Sequence, residues 1–431
     1  MSCTNLAGPS SLASGIRDGV SLSCPRHRHL ISGTFNSNLM HILSFDTLTR
    51  TLSLLSSLPA YGPHSFLTSG RTLDLESNRL VNTIYATTWA EKKELCAWKL
   101  DWKGEELNGL KWLGNVPITA TSSYVHIQPP PYSCLTAPCY NVEPGPSRFL
   151  YSAGGPTGEV HLIDQTNGMI QEKVQEIIFL REGEKALAKA DKTRVALRYG
   201  AHNVDIGQDK LAFIADVGRN SILTYKQDSE TGSLDLLSET FMISEGDGPR
   251  HVVPSPDGKY VYSVTEHTSF VDVFYVENGS QLVHLQRVSI LPSSSDIHQY
   301  RGDTVRLSPD GQYLFATTRG KNAGTKGFVK IWQINHTALS NRQKDVLQER
   351  YTYTTRNSGG KANAIEFAPR YGDTLENKGK TIDYAVLTDD QEGYITVLEW
   401  DGEDLKELST IRLPLLDDGQ SQGASQAIWV S

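Results

Sequence analysis

The sequence lacks the features of several large protein classes. It has no apolar run near the roughly 18 residues that a membrane-spanning helix needs, so we expect no transmembrane segment. It also lacks an excess of basic residues, because 41 Lys and Arg stand against 49 Asp and Glu, for a formal net charge of −8. An acidic chain is a poor partner for phosphate backbones and anionic lipids. We therefore expect no nucleic acid and no membrane among its partners.

Cysteine is scarce, and the five copies do not have the spacing of metal ligands. Cys134 and Cys139 bracket a short loop that a disulfide would close in an oxidising compartment, but two free thiols in a reducing cytosol are the preferred interpretation. Residues 1–28 are rich in Ser, Gly and Arg and lack the apolar core of a signal peptide, which predicts a flexible N-terminal tail and a cytoplasmic protein. Secretion stays open if the start of the chain is misassigned.

The chain does contain an internal repeat. Residues 255–258 read Ser-Pro-Asp-Gly, and the same four residues return at 308–311, each time followed by alternating aromatic and aliphatic residues. A Pro-Asp-Gly turn between apolar segments indicates a β-hairpin. Related strand patterns occur before and after these copies, for example at 206–213 and 384–390. A recurrence about every 50 residues, with four strand-like runs in each unit, is typical of propeller blades.

The two ends of the sequence complement each other. The N-terminal unit starts with a second-strand pattern at residues 29–35, whereas residues 424–431 look like a lone first strand. Joining them closes a ring and leaves no open sheet edge. We therefore predict an all-β fold, a seven-bladed β-propeller of four-stranded blades over residues 29–431, in which the C-terminal strand completes the N-terminal blade. A β-sandwich pair and a ring of six or eight blades are the alternatives.

One segment interrupts the repeat. Residues 181–198 are crowded with charged residues and alanines. A solvated loop is the preferred interpretation, and a short surface helix between blades is the alternative.

The repeat register nominates residues for a functional site. Ligands of a propeller bind where the inner strands begin and the second strands end, at one mouth of the central channel. Equivalent positions there would be interchangeable if they served packing alone, yet they carry different charged or titratable groups. These residues are His64, His202, Arg250, His251 and Asp303 at strand starts, and Glu266, Arg319 and Asp390 at strand ends.

Any single one of these residues can instead tie a blade together by hydrogen bonds, and this structural role is the preferred one for His251. Taken together, His202, Arg250, Glu266 and Arg319 indicate function. Two guanidinium groups suit an anionic ligand, and an imidazole with a carboxylate suits proton transfer. The four residues predict an enzyme that acts on a small anionic substrate.

The same motifs carry a resemblance to a known family. Residues 248–251, 300–303, 388–394 and 426–429 are similar to segments of the fungal 3-carboxy-cis,cis-muconate lactonizing enzymes, also called carboxy-cis,cis-muconate cyclases. Those enzymes belong, with the propeller-type 6-phosphogluconolactonases, to a larger lactonase group, and the resemblance spans nearly the whole chain. It implies a metal-independent isomerase without a cofactor, an intramolecular lyase that lactonises 3-carboxy-cis,cis-muconate in aromatic catabolism of the β-ketoadipate type.

The resemblance also implies roles for the four residues, which match the active-site motifs of that family. His202 and Glu266 would be catalytic, and Arg250 and Arg319 would bind the carboxylates of the substrate. His202 is the preferred proton donor; Glu266 with a raised pKa is the alternative, and otherwise Glu266 orients His202 or a water. The expected partner is a small polycarboxylate, and a homo-oligomer is left open.

Two other functions stay open. A lactone hydrolase of the 6-phosphogluconolactonase type would use the arginines for the phosphate and His202 or Glu266 to activate water. A non-catalytic propeller that binds a partner protein on its rim would tolerate substitution of all four residues.

Overall fold

The structure, a computed structural model, describes residues 26–75, 79–128, 145–370, 376–377 and 380–431. In these residues the strands form seven four-stranded antiparallel sheets and one two-stranded hairpin. Each four-stranded sheet is one blade, and inner strands of successive blades contact one another around the ring. The predicted seven-bladed β-propeller is therefore confirmed, and the sandwich and the rings of six or eight blades are wrong.

The seven blades follow one another in chain order around the ring. Blade 1 contains β1 (His27–Thr34), β2 (Leu39–Asp46), β3 (Thr51–Pro59) and the last strand, β30 (Ala424–Trp429). Blade 2 contains β4 (His64–Asp74), β5 (Arg79–Thr88), β6 (Glu94–Lys103) and β7 (Glu106–Pro117). Blade 3 contains β8 (Tyr124–His126), β9 (Phe149–Gly154), β10 (Thr157–Ile163) and β11 (Ile170–Ile178). Blade 4 contains β12 (Ala201–Ile206), β13 (Leu211–Asp216), β14 (Ser221–Gln227) and β15 (Leu234–Phe241).

The remaining blades follow the same plan. Blade 5 contains β16 (Pro249–Pro254), β17 (Tyr260–Thr265), β18 (Phe270–Glu277) and β19 (Gln281–Ser289). Blade 6 contains β20 (Tyr300–Leu307), β21 (Tyr313–Gly320), β22 (Phe328–Ile334) and β23 (Leu347–Thr354). Blade 7 contains β24 (Ile365–Phe367), β27 (Asp383–Thr388), β28 (Tyr394–Trp400) and β29 (Leu405–Arg412), with the hairpin of β25 (Glu376–Asn377) and β26 (Lys380–Thr381) between its first two strands. The helical segments are α1 (Glu184–Leu187), α2 (His336–Ser340) and the 3₁₀ turns Arg194–Arg198 and Ile297–Gln299.

The first and last strands of the chain share blade 1. β30 pairs antiparallel with β1, and Leu30 lies opposite Trp429. Just beyond the strand, the Val430 amide donates a hydrogen bond of 2.9 Å to the carbonyl of His29. The predicted ring closure is therefore confirmed. β1 begins at His27, two residues earlier than the sequence pattern indicated.

The Ser-Pro-Asp-Gly repeats form the turns between the first and second strands of blades 5 and 6. Gly258 and Gly311 have φ angles of 71° and 69°, a region that residues with a side chain rarely adopt. In blade 5, Ser255 Oγ donates to Asp257 Oδ1 at 2.6 Å and accepts from the Tyr260 amide at 3.0 Å. The turn therefore depends on these residue types, which explains why the motif recurs in the sequence.

Apolar side chains pack between neighbouring blades. Phe315 of β21 meets Trp400 of β28 edge to face, with 5.6 Å between ring centroids, and so joins blades 6 and 7. Outer strands such as β3 alternate between exposed and partly or fully buried residues, as expected for a sheet with one edge in water. The hydrophobic core therefore lies between the blades. Residues at the ends of the central channel are not part of this core, so they can be polar.

The charged insertion between blades 3 and 4 is more structured than a solvated loop. It contains α1 and the 3₁₀ turn Arg194–Arg198, with Thr193 as the N-terminal cap of that turn. The Thr121 amide donates to the carbonyl of Lys192 at 2.9 Å, which fastens the insertion to the start of blade 3. The preferred loop interpretation is wrong, and the insertion packs at the end of the ring where the inner strands begin.

Several expectations fall outside the described residues. The predicted tail lies almost wholly in residues 1–25, and the alternatives for Cys134 and Cys139 also lie outside. Cys96 is buried and makes no disulfide among the described residues, and burial raises the pKa of its thiol. No helix in the described part of the chain is long and apolar enough to span a membrane.

Candidate active site at one mouth of the channel

Bulges in the inner strands aim the candidate side chains at the channel mouth. The ladder between β16 and β17 skips Arg250, and the ladder between β12 and β13 skips His202. In blade 6 the ladder between β20 and β21 skips Asp303 together with Thr304. A bulged residue leaves the regular alternation of faces, so its side chain is re-aimed. The same irregularity recurs near the start of inner strands and explains why polar groups face the mouth there.

Antiparallel pairing then brings the ends of the second strands to the same place. Glu266 directly follows β17, and its amide donates to the carbonyl of Gly248 just before β16, at 2.7 Å. In blade 6, Arg319 near the end of β21 lies opposite Arg301 of β20. The predicted end of the channel therefore collects residues from both the first and the second strands.

Arg250 is held by a buried carboxylate. Its Nη2 lies 3.0 Å from Asp303 Oδ1, and its Nη1 donates to the Asp303 carbonyl at 2.8 Å. Its Nε lies 3.5 Å from Glu266 Oε2, at ion-pair distance but without a hydrogen bond in the described part of the chain. A buried guanidinium donor is thus left available beside a carboxylate.

Arg319 and Arg301 complete the charged cluster. Arg319 Nη2 and Arg301 Nη1 approach the same oxygen, Glu266 Oε1, at 3.4 Å and 3.1 Å. Arg319 Nε lies 3.3 Å from Asp303 Oδ1, and its Nη1 donates to the carbonyl of Lys361 at 2.8 Å. Three guanidinium groups therefore surround two carboxylates, and the cluster retains positive charge.

The three arginines differ in exposure, which decides which one meets a ligand first. The side chain of Arg301 is 41% exposed, against 13% for Arg319 and 9% for Arg250. The Glu266 side chain is only 6% exposed. A ligand entering the mouth therefore reaches Arg301 first, while the nearly buried Arg250 contributes its charge from below the surface of the site.

Glu266 is ionised in this environment. Burial would raise the pKa of Glu266, but the charges of Arg319 and Arg250, with a smaller contribution from Arg301, lower it to about 2. This direction disfavours the alternative in which Glu266 has a raised pKa and donates the proton, and the identity of the proton donor stays a prediction. The sequence placed Arg319 and Arg250 at the same mouth, but it did not show that their charges outweigh the effect of burial.

His202 is a nearly buried, neutral imidazole. Burial, together with the positive charges of Arg250 and Arg319, holds the pKa of His202 well below its ordinary value, although the Glu266 carboxylate acts in the opposite direction. Its Nδ1 has no hydrogen-bond partner among the described residues. No hydrogen bond links His202 to Glu266 in the described part of the chain, so Glu266 acts on it through charge rather than by holding the ring.

The other histidines nominated by the register have different environments. His251 Nε2 accepts from Arg250 Nη1 at 3.1 Å, and the His251 ring packs edge to face on Tyr124 at 5.3 Å. His64 Nδ1 lies 3.1 Å from the Thr87 carbonyl, and its ring packs on an indole deep in the blade. His251 therefore supports Arg250, as expected of a structural residue, and His64 lies away from the charged cluster.

Two residues of the cluster have no predicted role from the sequence. The register nominates Asp303 only by its position, and Arg301 belongs to the motif at 300–303 without being a site candidate. The pairing of β20 with β21 places Arg301 directly opposite Arg319, and this pairing would have identified Arg301 as a site candidate. Asp390, by contrast, pairs with Lys361 Nζ at 2.9 Å rather than with the cluster.

Comparison with known proteins agrees with this architecture. The family model of the lactonases, seven-bladed β-propellers, matches residues 135–374, more than half of the chain. The chain belongs to the lactonase family. It is 33% identical over 379 residues to muconate cycloisomerase 1 of Cutaneotrichosporon cutaneum, covering 87% of this chain and 91% of that protein. It is 24% identical over 211 residues to the carboxy-cis,cis-muconate cyclase of Neurospora crassa, covering 47% and 53% of the two chains.

A solved member of the lactonase fold shows the same ring. The periplasmic gluconolactonase of Pseudomonas aeruginosa superimposes with a TM-score of 0.68 at 16% identity, covering 94% of this chain and 99% of that one. This likeness concerns the fold alone. Membership of the lactonase family indicates an enzyme of the kind that acts on lactones, and the resemblance inferred from the sequence motifs is confirmed at the family level.

Proposed function

We propose that this lactonase-family protein is a cofactor-free cycloisomerase that lactonises 3-carboxy-cis,cis-muconate. The observation that carries the proposal is the charged cluster, in which Arg301, Arg319 and Arg250 surround Glu266 beside a neutral His202. Such a site attracts a polycarboxylate and keeps one titratable group that can change its protonation state when the ligand arrives. The names of the two muconate-processing relatives support the same substrate class.

Substrate carboxylates would bind first at Arg301 and then at Arg319. Arg301 is the most exposed guanidinium, and a bidentate pair with a carboxylate needs its planar fork. Glu266 holds both side chains in place before the substrate arrives, since both contact its Oε1. The site therefore needs little reorganisation at binding.

The reaction joins one carboxylate oxygen to a carbon of the conjugated diene. As that C–O bond forms, the electron pair of the C=C bond moves to the neighbouring carbon, which lies next to a second carboxyl group. Negative charge delocalises into that carboxyl group, where a guanidinium stabilises it. One proton then adds to the carbon, so the lactone is an isomer of the substrate.

His202 would supply that proton after substrate binding has changed its charge state. In the unliganded protein, burial and two arginines keep the imidazole neutral. Substrate carboxylates bound at Arg301 and Arg319 add negative charge near the imidazole, so the pKa of His202 rises in the complex. Glu266, already ionised, contributes to the same shift and stabilises the imidazolium.

A lactone hydrolase is the second candidate, and one observation favours it. A neutral His202 in the unliganded site is already in the form of a general base, which is able to activate water against a lactone carbonyl. The two candidates differ in their products, because hydrolysis adds water and cyclisation does not.

An ultraviolet assay tests the proposal. Purified protein is mixed in parallel with 3-carboxy-cis,cis-muconate, cis,cis-muconate and 6-phosphogluconolactone. We expect loss of the diene absorbance with the carboxylated muconate, and at least a tenfold smaller rate with Arg301→Gln. Lys189→Glu, an exposed change in the insertion, is the control. Lactone hydrolysis without consumption of either muconate would establish the second candidate instead.

A further inference from the structure

Two aromatic residues of blades 1 and 2 form a wall at the same end of the channel as the charged cluster. Phe35 follows β1 and Trp89 follows β5, and their rings meet edge to face with centroids 5.2 Å apart. By the blade register these positions correspond to Glu266, which follows β17. The two aromatic residues therefore belong to the same end of the channel as the proposed active site.

A cationic side chain lies over each of the two rings. Lys361 Nζ lies 5.0 Å from the centre of the Phe35 ring, and Arg194 Cζ lies 5.9 Å from the centre of the Trp89 ring. Lys361 comes from the loop between blades 6 and 7, and Arg194 comes from the insertion between blades 3 and 4. We call these four residues, Phe35, Trp89, Lys361 and Arg194, the rim arc.

The rim arc is continuous with the charged cluster. The Lys361 carbonyl accepts from Arg319 Nη1 at 2.8 Å, so the backbone of the arc directly supports a residue of the cluster. The Lys361 amide and Nζ both bind Asp390, at 2.8 Å and 2.9 Å, which fixes the side chain over the wall.

At the Trp89 end of the arc, two polar groups lack a hydrogen-bond or ion-pair partner within the described ranges. Arg194 is exposed and makes no ion pair among the described residues. The Trp89 indole Nε1 is buried and has no hydrogen-bond partner in the described part of the chain. An exposed guanidinium that lies over a half-buried indole and makes no ion pair among the described residues suits a carboxylate above an aromatic surface.

We propose that the rim arc is a second substrate subsite, in which the half-buried Trp89 faces the planar conjugated part of the acid, Phe35 supports the indole edge to face, and Arg194 binds the additional carboxylate. The inference rests on the proposed function and goes further, because it makes the arc the element that selects a tricarboxylate over a dicarboxylate. The charged cluster alone accounts for two carboxylates, through Arg301 and Arg319.

The first test compares charge reversal at two exposed positions of the same insertion. Arg194→Glu is the test variant, and Lys189→Glu makes the same change of net charge away from the aromatic wall. We expect Arg194→Glu to raise KM for 3-carboxy-cis,cis-muconate about tenfold, and KM for cis,cis-muconate by less than about threefold. Equal effects of both variants on both substrates would overturn the proposal, because only the long-range field would then be involved.

The second test does not depend on turnover, so failure of the reaction and failure of the subsite stay distinguishable. Calorimetry measures Kd for tricarballylate and for glutarate with the wild type, Arg194→Glu and Trp89→Leu. We expect the preference for the tricarboxylate to fall about tenfold in both variants. If folded variants keep the wild-type preference for tricarballylate over glutarate, the subsite proposal is wrong, even if the protein is an active enzyme. If the variants lose the preference but the wild type has no activity, the rim arc is an anion-binding site and the proposed function is wrong.

Discussion

Replacing Glu266 by Gln tests whether the charged cluster is electrostatically coupled as the structure indicates. Glu266 is nearly buried, and one of its oxygens lies within 3.4 Å of both Arg301 and Arg319. Its pKa is lowered from 4.5 to about 2, and each pKa unit corresponds to about 1.4 kcal/mol. Because Gln mimics the neutral carboxyl group, Glu266→Gln should reduce the free energy of unfolding by about 3 kcal/mol at pH 7.

The sign of the pH dependence follows from the lowered pKa. A carboxylate with a depressed pKa contributes stability above its unfolded-state pKa, near 4.5, and loses that contribution as the pH falls towards about 2. The difference between wild type and Glu266→Gln should therefore be full at pH 6 to 8 and should shrink below pH 4.5. A polycarboxylate ligand should restore part of the lost stability, since it supplies new negative charge to the three arginines.

Urea unfolding monitored by circular dichroism measures these differences. The matched control is Glu392→Gln, because Glu392 pairs with Arg412 in an exposed ion pair that is worth little. We expect a change below about 1 kcal/mol for the control. A Glu266→Gln protein as stable as Glu392→Gln would refute the electrostatic reasoning and, with it, the assignment of an ionised Glu266.

Four further predictions follow from particular residues. His202→Gln should lower kcat by about a hundredfold with little change in KM, measured by steady-state kinetics, because it removes the proton donor; near wild-type turnover would exclude that role. Burial lowers the pKa of His64 to about 4, so below pH 6.5 the unfolded chain binds more protons than the folded protein. Acidification from pH 7 to 5 should therefore reduce the free energy of unfolding of the wild type by about 2 kcal/mol more than that of His64→Gln. Deleting residues 424–431 removes the inner strand of blade 1 and should lower both Tm and solubility, while an unchanged Tm would argue against the closure. Activity should survive exhaustive chelation, and its loss with return on adding a metal would contradict a metal-free reaction.

The fold could be predicted because each blade repeats the same local requirements. The Ser-Pro-Asp-Gly turns need glycine at a positive φ, so Gly258 and Gly311 stay visible in the sequence. The closure could be predicted because β30 lacks partners in its own segment of the chain. The helical content of the insertion could be predicted only as an alternative, since segments of four and five residues are too short to give a periodic pattern.

The candidate site was predicted only in part. Register placed His202, Arg250, Glu266 and Arg319 at one mouth, and the structure brings them together there, while their catalytic roles remain predictions. The repeat register did not predict the net charge of the cluster, because that charge depends on the contacts of Arg301 with Glu266 and of Asp303 with Arg250.

The aromatic wall also escaped sequence reasoning. Phe35 and Trp89 look like ordinary strand-end aromatics, and their partners Lys361 and Arg194 come from loops of different blades. Pairings between loops of different blades depend on the closed ring, and the repeat register describes only positions within a blade.

The most direct test of the central claim is mass spectrometry of the product formed from 3-carboxy-cis,cis-muconate in D₂O. Cyclisation by the proposed route predicts a lactone that carries one carbon-bound deuterium and no added water, formed by the wild type and lost in His202→Gln. A product heavier by one water, or an unconsumed substrate with a correctly folded protein, would contradict the account.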